Sequence, residues 1–211
     1  MQYSSIILAS GSPRRRELLG RLGIPFTVYV SDVDENVTGR ARDIVRTLAE
    51  RKAQAVAKER PDALVIASDT LVSLDGAPLG KPADVPDARR MLMALSGREH
   101  EVYSGVCLMC ARTGEKLLRV ARTGVRFKVL SEKEIDDYIA TGEPMDKAGA
   151  YGIQGGAGAF VSKLDGSFEN VRGFPIDDVR QMLPGFGVLY QGDLWAYFLR
   201  AASASIWAPP M

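Results

Sequence analysis

The order of apolar segments along the chain constrains the fold more than any other feature of the sequence. A short apolar run at residues 6–10 precedes a capped helix, and a long amphipathic helix at 41–60 precedes a second apolar run at 64–67. Two long alternating runs follow at 101–111 and 116–129, separated by a turn signal. Strands that alternate with helices pair in parallel, whereas strands joined by a tight turn pair antiparallel. The sequence therefore predicts an α/β fold with a mixed central sheet, flanking helices and two lobes around a groove.

Size and charge limit the classes of function. The chain has 211 residues, which suits one domain or one domain built from two lobes. Its formal net charge is only +1, so it lacks the large excess of Lys and Arg on which general nucleic-acid binding depends. No stretch is long and apolar enough to span a bilayer, and the N-terminal charges follow the apolar run, which is the wrong order for a signal peptide. We therefore expect a cytoplasmic protein without nucleic-acid or membrane partners.

The last third of the chain is the least regular part. Residues 142–158 are dense in glycine, residues 167–171 are predicted to form a strand, and a final helix is predicted to begin at Pro175. We place one domain at residues 1–183 and leave 184–211 as a C-terminal tail of unclear structure. The tail carries an apolar cluster that either packs on the body as a helix or forms an interface. Its members are Leu194, Trp195, Tyr197, Phe198 and Leu199.

Cysteine and histidine usage argues against several chemistries. Cys107 and Cys110 form a CxxC pair, but they lie in a strand-like run, in which residues three apart point to opposite faces. His100 is the single histidine, so a site built from several histidines is excluded. Because His100 lies in a polar string, we predict that it is exposed in a loop or at the edge of a strand. Chemistry in this chain must therefore rest on carboxylates, cations and an added metal ion.

The segment at residues 8–19 places three arginines at a predicted helix start. An apolar strand, a glycine turn and a helix capped by Ser12 bring backbone N–H groups and the positive end of the helix dipole together, which suits an anion. Arg14 and Arg15 would add charge-assisted hydrogen bonds to a phosphate or carboxylate, while Arg16 has no assigned role. The alternative is three solvated arginines on an exposed first turn.

Lys52 and Asp69 break the local pattern of apolar residues. Lys52 lies near the middle of the apolar face of the helix at 41–60, where an ammonium group needs a carboxylate or a bound anion. The alternative is a lysine whose stem is buried and whose head reaches solvent. Asp69 lies at the carboxyl end of a buried strand, where open α/β sheets place ligand-binding residues. It suits proton transfer or a divalent cation, or it only starts a turn.

Further polar residues lie in predicted loops. Asp34 and Glu35 are adjacent acids that would help to hold Mg²⁺ with waters, unless they belong to an ordinary solvated loop. Lys81 lies in a constrained Gly-Lys-Pro turn. The glycine-dense stretch carries Lys147 and also Gln154, whose amide offers both a donor and an acceptor for base recognition. These residue types point to a phosphate-bearing, metal-chelated substrate.

Six motifs, in order from about residue 5 to about residue 182, resemble the Maf family of nucleotide pyrophosphatases. They are LASGSPRRRELL at 8–19, SDT at 68–70, GKP at 80–82, LSGREHEVYSGV at 95–106, GEPMDKAGAYGIQG at 142–155 and NVRGFP at 170–175. The long glycine-rich motif is the most specific of them. Arg172 departs from the usual NVVGLP-like form of the last motif.

This resemblance implies an inosine-triphosphatase-like α/β fold and metal-dependent hydrolysis of a nucleoside triphosphate to the monophosphate and pyrophosphate. In the family, the aspartate of SDT is taken as the proton acceptor, and this aspartate is Asp69 here. Three positions associated with substrate choice correspond to Arg14, Thr70 and Gln154, and this trio resembles the branch that acts on dTTP and UTP. The branch that acts on 7-methyl-GTP tends to have Trp, Gln and Glu at these positions.

We therefore expect dTTP or UTP to bind in the groove with its triphosphate against cationic and capping groups. Asp69 would accept a proton from the water that attacks the α-phosphorus. The alternatives are a 7-methyl-GTP pyrophosphatase and a non-catalytic nucleotide-binding regulator linked to cell division. The sequence also leaves the formation of a homodimer undecided, since small enzymes of this kind often form dimers. The expected phosphate-binding residues are Ser12, Arg15, Lys52, Lys81 and Lys147, and the expected ligands of Mg²⁺ or Mn²⁺ are Asp34, Glu35 and Asp69.

Overall fold

The computed structural model describes residues 3–189 and builds them around one seven-stranded sheet. The strands are β1 Ile6–Leu8, β2 Thr27–Val28, β3 Leu64–Leu74, β4 Ala77–Leu79, β5 Glu99–Met109, β6 Lys116–Phe127 and β7 Val161–Asp165. The α-helices are α1 Pro13–Gly20, α2 Ala41–Glu59, α3 Val85–Leu95, α4 Glu132–Ala140, α5 Phe168–Val171 and α6 Ile176–Met182. Short 3-10 helices lie at Glu143–Asp146, Ala148–Ala150, Gly156–Phe160 and Leu183–Phe186.

The sheet combines parallel and antiparallel pairing. Its strand order is β2-β1-β3-β5-β6-β7, with β4 paired to the end of β3. β1 runs parallel to β2 and β3, because α1 and α2 provide the crossover connections. β3, β5, β6 and β7 pair antiparallel in turn, with β5 and β6 forming the predicted hairpin. The prediction of a mixed sheet with flanking helices is confirmed.

The long strands run through two separate hydrophobic regions, which form the two lobes. Near the start of β3, Ile66 packs in a core with α1 and α6, while Val65 packs in a core with α2, so helices cover both faces of the sheet. Near the end of β3, Val72 and Leu74 pack with α3, α4 and the glycine-rich segment. A groove opens between these regions beside the middle of β3, as predicted.

Local signals explain where several helices begin. Ser12 caps α1, accepting a hydrogen bond from the backbone N–H of Arg15 at 3.4 Å. Ser131 and Glu134 form the predicted capping box of α4. Helix α2 covers almost all of the predicted amphipathic helix and buries the predicted apolar face. These helices could be predicted from the sequence because the capping residues and the apolar periodicity indicate the same boundaries.

Helix α2 lies very close to the sheet at Gly105. Gly105 is the partner of Asp69 in the register of β5 and β3. A methyl group at Gly105 would overlap the main-chain carbonyl oxygen of Val45 in α2. Glycine is therefore required here because the backbone of another element comes so close. This contact sets the separation of α2 from the middle of β3.

The predicted strand at 167–171 is wrong, because this segment forms α5. Ser167 accepts a hydrogen bond from the backbone N–H of Asn170 and so caps a helical turn. The Asn170 side chain then donates to the carbonyl of Val102, which anchors the short helix to β5. Tertiary hydrogen bonds outweigh the β-propensity of this short segment.

The prediction that His100 is exposed is also wrong. His100 lies in β5 with only 2% of its surface exposed, and its Nε2 is 2.8 Å from the Tyr151 hydroxyl. Its ring packs edge-on against Phe127. Burial lowers the pKa of His100 to about 4, so the imidazole is neutral at neutral pH. Charged neighbours on the other face of the strand concealed this inward position in the sequence.

The chain after α6 packs on the body as far as it is described. The 3-10 helix Leu183–Phe186 buries Phe186, whose ring lies against Tyr3. The apolar cluster predicted at 194–199 lies outside the described residues. Within residues 3–189, none of the helices combines the length and the apolar character needed to cross a bilayer.

We predict that Gly105→Ala lowers the free energy of unfolding by about 2 kcal/mol or more, because the methyl group would push α2 away from the sheet. Urea unfolding followed by circular dichroism measures this change. Gly124→Ala is the matched control, since a methyl group in this β6 position meets its nearest neighbour at an ordinary 3.4 Å. The control should change stability by less than about 0.5 kcal/mol. Equal losses in both variants would contradict this account of Gly105.

Candidate active site

The groove between the lobes gathers most of the residues that the sequence singled out. It encloses about 1200 Å³ between the start of α1, the middle of β3, α2 and the glycine-rich segment. Asp34 is not among the residues that line it. The predicted site residues that do line it are Ser12, Arg14, Arg15, Glu35, Lys52, Asp69, Thr70, Lys81, Lys147 and Gln154.

A buried lysine between two carboxylates lies in this groove. Lys52 Nζ is 2.7 Å from Asp69 Oδ1 and 2.8 Å from Glu35 Oε1. Lys52 and Asp69 are each only 8% exposed, whereas Glu35 comes from an exposed loop. Of the two alternatives for Lys52, the structure shows the ion-paired one. An ammonium group at this depth requires such partners, because desolvation is costly for an unpaired charge.

The periodicity of two elements brings this ion pair together. Helix α2 turns Lys52 toward the sheet along with Ala49 and Ala53. Strand alternation places Asp69 on the same face of β3 as Ala67, which packs with α2. Asp69 Oδ1 is bonded to Lys52, while Asp69 Oδ2 accepts no hydrogen bond from any residue in the described range. One carboxylate oxygen is therefore fixed and the other is available to a ligand.

Arg15 ties three elements of the groove together. Its Nε donates to the carbonyl of Gly173 at 2.9 Å, and its Nη1 donates to the carbonyl of Ser68 at 2.6 Å. Its Nη2 lies 3.4 Å from Thr70 Oγ1. The guanidinium therefore joins the start of α1 to β3 and to the turn after α5. The expectation that Arg15 contacts phosphate stays a prediction, and the structure adds a bracing role.

Arg14 differs from its two arginine neighbours. It lines the groove, and it forms no hydrogen bond or ion pair with any residue between 3 and 189. Arg16 is exposed and does not line this groove. Arg14 is therefore the cation of this segment that remains available to a ligand, next to the helix terminus that Ser12 caps.

The Thr70 hydroxyl is held by protein groups on several sides. Thr70 Oγ1 is 2.8 Å from Ser104 Oγ and 3.2 Å from the carbonyl oxygen of Gly173. Gly173 has φ +106°, a backbone angle that favours glycine, and this turn aims its carbonyl at the groove wall. Thr70 is thus part of a rigid wall that also includes Arg15.

The glycine-rich segment presents Gln154, Lys147 and two acids. Lys147 Nζ donates to the Glu143 carbonyl at 2.6 Å and pairs with Asp146 at 2.7 Å. The Glu143 carboxylate accepts hydrogen bonds from the backbone of Gly156 and from the Tyr138 hydroxyl, both at 3.1 Å. Sequence reasoning did not single out Glu143, although its place at the start of the glycine-rich motif was a usable signal.

Arg172 is a second groove residue without a predicted role. Its Nε donates to Gln154 Oε1 at 2.8 Å, and its Nη2 pairs with Glu17 Oε2 at 2.8 Å. The sequence marked Arg172 only as a departure from a family motif. No local pattern connects it with Gln154 or Glu17, which are distant in the sequence.

The acids of the groove fit a hard cation only in part. No group of three or more His, Cys, Asp or Glu side chains within residues 3–189 is placed to hold a metal ion. Asp34 Oδ1 accepts a hydrogen bond from the backbone of Asn36 in an exposed turn. Glu35 and Asp69 are therefore the predicted ligands that the structure brings together, and Lys52 bonds one carboxylate oxygen of each.

The sequence is similar to known proteins of one family. A family model described as Maf-like protein matches residues 5–186. The dTTP/UTP pyrophosphatase of Moorella thermoacetica is 48% identical over 194 residues, covering 91% of this chain and 98% of that protein. The dTTP/UTP pyrophosphatase of Symbiobacterium thermophilum is 50% identical over 184 residues, covering 86% and 94%. Among solved structures, the Ham1 protein of Staphylococcus aureus aligns with a TM-score of 0.45 and 17% identity, covering 58% of this chain and 71% of that chain.

We predict that Lys52→Met lowers the free energy of unfolding by about 3 kcal/mol, because it leaves Asp69 buried without its cation. Asp69→Asn should cost less, since the amide oxygen still accepts from Lys52. A double-mutant cycle with both substitutions, measured by urea unfolding, should give a coupling free energy above about 1 kcal/mol.

The control for this cycle is the exposed pair Lys133 and Asp137 on α4, with the same two types of substitution. Their side chains are 82% and 66% exposed, so their coupling should be close to zero. A coupling for Lys52 and Asp69 no larger than that of the control would contradict the structural importance of the buried pair.

Proposed function

This chain belongs to the Maf family, and we propose that it hydrolyses dTTP and UTP to the nucleoside monophosphate and pyrophosphate with a divalent metal ion. Relatives at 48–50% identity carry the name dTTP/UTP pyrophosphatase. The observation that carries the proposal is the buried pair of Lys52 and Asp69, because it leaves one carboxylate oxygen open to a groove lined by cations. Such a groove suits a polyanionic substrate.

The triphosphate binds where positive charge and backbone N–H groups converge. The start of α1, capped by Ser12, supplies the positive end of a helix dipole, and Arg14 adds a guanidinium that no residue between 3 and 189 pairs with. Lys81 and Lys147 line the opposite part of the groove, on the other lobe. A triphosphate is the ligand that would satisfy both sets of cations at once.

Asp69 acts as the proton acceptor in this proposal. A water molecule attacks the α-phosphorus and loses a proton to Asp69 Oδ2, while the bond from the α-phosphorus to the bridging oxygen breaks. Lys52 holds Asp69 Oδ1 and keeps the carboxylate in one orientation. The charge that develops on the departing pyrophosphate is offset by Lys81 and by Lys147, which already bonds to Glu143 and Asp146.

The chemistry of the groove acids is compatible with Mg²⁺ or Mn²⁺. Glu35 keeps one carboxylate oxygen that Lys52 does not bond, close to Asp69, and Mg²⁺ is commonly held by one or two carboxylates together with substrate phosphates and waters. Glu35 would therefore hold the ion while Asp69 Oδ2 accepts the proton. When bound there, the ion would neutralise phosphate charge and polarise a phosphorus–oxygen bond. Asp34 stays a predicted ligand that lies outside the groove lining.

Substrate choice falls to residues on two walls of the groove. Gln154 lies in the glycine-rich segment and Thr70 in β3, and both line the groove. The Thr70 hydroxyl is already bonded to protein groups, so it acts on specificity by shaping the wall. Gln154 is exposed, and its amide nitrogen, which bonds to none of the described residues, can contact a base.

We predict that the purified protein releases pyrophosphate from dTTP and UTP in the presence of Mg²⁺, and that EDTA abolishes the release. A panel of dTTP, UTP, ATP and 7-methyl-GTP, followed by pyrophosphate detection, measures the activity. A preference for 7-methyl-GTP would overturn the proposed substrates. Tight binding of dTTP without any pyrophosphate would identify a nucleotide-binding regulator and overturn the enzymatic proposal.

We predict that Asp69→Asn lowers kcat by about 100-fold or more, because the amide cannot accept the proton. Circular dichroism should show an unchanged fold, since the amide oxygen still accepts from Lys52. Asp137→Asn, on the exposed face of α4, is the matched control and should retain normal turnover. Near-normal turnover in Asp69→Asn would contradict the assignment of the base.

A further inference from the structure

Arg172 is a buried cation that the proposed reaction does not use. Its side chain is only 2% exposed, and it lies directly after α5. Its ionic partner is Glu17, which lies in α1 and does not line the groove. A buried guanidinium is costly unless its donors are paired. The way in which Arg172 uses its remaining donors is therefore informative.

The second contact of Arg172 fixes the orientation of an amide. Arg172 Nε donates to Gln154 Oε1 at 2.8 Å. A guanidinium carries donors and no acceptor, so only the amide oxygen of Gln154 can face it. With a partner that both donates and accepts, the oxygen and nitrogen of the amide could exchange places by a flip. Arg172 removes this freedom.

The amide nitrogen of Gln154 is consequently the atom of this side chain that can donate a hydrogen bond to a ligand. Gln154 is exposed and lines the groove, and its Nε2 bonds to none of the described residues. The groove therefore presents hydrogen-bond donors at this point, and the guanidinium of Arg14, which has no partner in the described part of the chain, adds further donors in the same groove. An acceptor on the ligand is favoured here, and a second donor is disfavoured.

We propose that Arg172 is a positioning residue that sets the hydrogen-bonding polarity of Gln154 and thereby selects a pyrimidine with a 4-carbonyl over one with a 4-amino group. This inference rests on the proposed function. Thymine and uracil, the bases of the nucleotides in the name of the relatives, both present an oxygen acceptor at position 4, whereas cytosine presents an amino donor. A cytosine amino group would meet the fixed amide NH₂ of Gln154, and neither donor would have an acceptor.

The test compares kcat/KM for UTP and CTP in the wild type and in Arg172→Met, which fills the volume without a donor. The wild type should favour UTP by about 100-fold or more. In the variant, the Gln154 amide is free to present its oxygen, so the ratio should fall by about 10-fold or more. The change should appear mainly in KM, because the base lies away from the α-phosphorus and its contact is similar in the ground and transition states.

Two further variants separate positioning from a loss of structure. The ratio for two nucleotides in one preparation does not depend on the folded fraction, which cancels. Arg172→Lys keeps a donor-only group beside Gln154 and should hold the ratio within about 3-fold of the wild type. If Arg172→Met does not accumulate, Arg172→Gln gives the same test, since a glutamine donates and accepts and leaves the Gln154 amide unfixed.

Calorimetry with the α,β-methylene analogues of UTP and CTP repeats the comparison without turnover. A wild type with no preference for UTP, or an unchanged ratio when Arg172 is replaced by Met or Gln, overturns the inference. If the same wild type releases pyrophosphate from UTP, the proposed function stands. A wild type that binds neither analogue overturns both.

Discussion

The pairing of one buried ammonium with Asp69 is the constraint around which the site is arranged. Lys52 cannot remain at 8% exposure without a carboxylate, so α2 must stay where its charge meets the middle of β3. The close approach that this requires is possible because Gly105, directly opposite Asp69 in the sheet, has no side chain. The same ammonium draws in Glu35 from a loop. One electrostatic requirement thus positions a helix, a strand and a loop around one carboxylate.

Arg15 is a second cation that holds elements of the site together, on the other face of the sheet. Arg15 donates to the carbonyls of Ser68 and Gly173 and lies within reach of Thr70. Arg15 and Lys52 therefore approach neighbouring positions of β3 from opposite faces. Charge-assisted hydrogen bonds of this kind are stronger than neutral ones, which suits a wall that must keep its shape. The arginine next to it, Arg14, is left to meet the ligand.

The sequence predicted the parts of the site that break a regular pattern. Lys52 stood out because it interrupts an apolar helix face, and Asp69 because it follows an apolar strand run, and the structure joins these two anomalies. Helix caps and the long hairpin were also predictable, because local propensity and apolar periodicity agree there. The sheet order adds that both anomalies lie beside a groove between two lobes.

What the sequence could not supply depends on contacts between distant segments. His100 is buried by aromatic rings from other strands and loops, and the four-residue helix α5 is held by hydrogen bonds to β5. Arg172 meets Gln154 and Glu17, which lie 18 and 155 positions away in the chain. A pattern read along one segment contains no information on such partners.

The strands β3, β5 and β6 pass without a break from one lobe to the other, and this continuity governs how the groove can respond to a ligand. At its middle, Asp69 is paired with Gly105, and Gly105 with Val120, so a hydrogen-bonded ladder crosses the floor. Opening the lobes like a jaw would have to bend these three hydrogen-bonded strands together, whereas moving a side chain or the loop at 31–39 would leave the strands unchanged. The sheet that forms the floor of the groove is therefore stiff, whereas the side chains and the loop at its edges can adjust. New substrate preferences in such a frame would arise by exchanging side chains at its walls, with the connection between the lobes kept as it is.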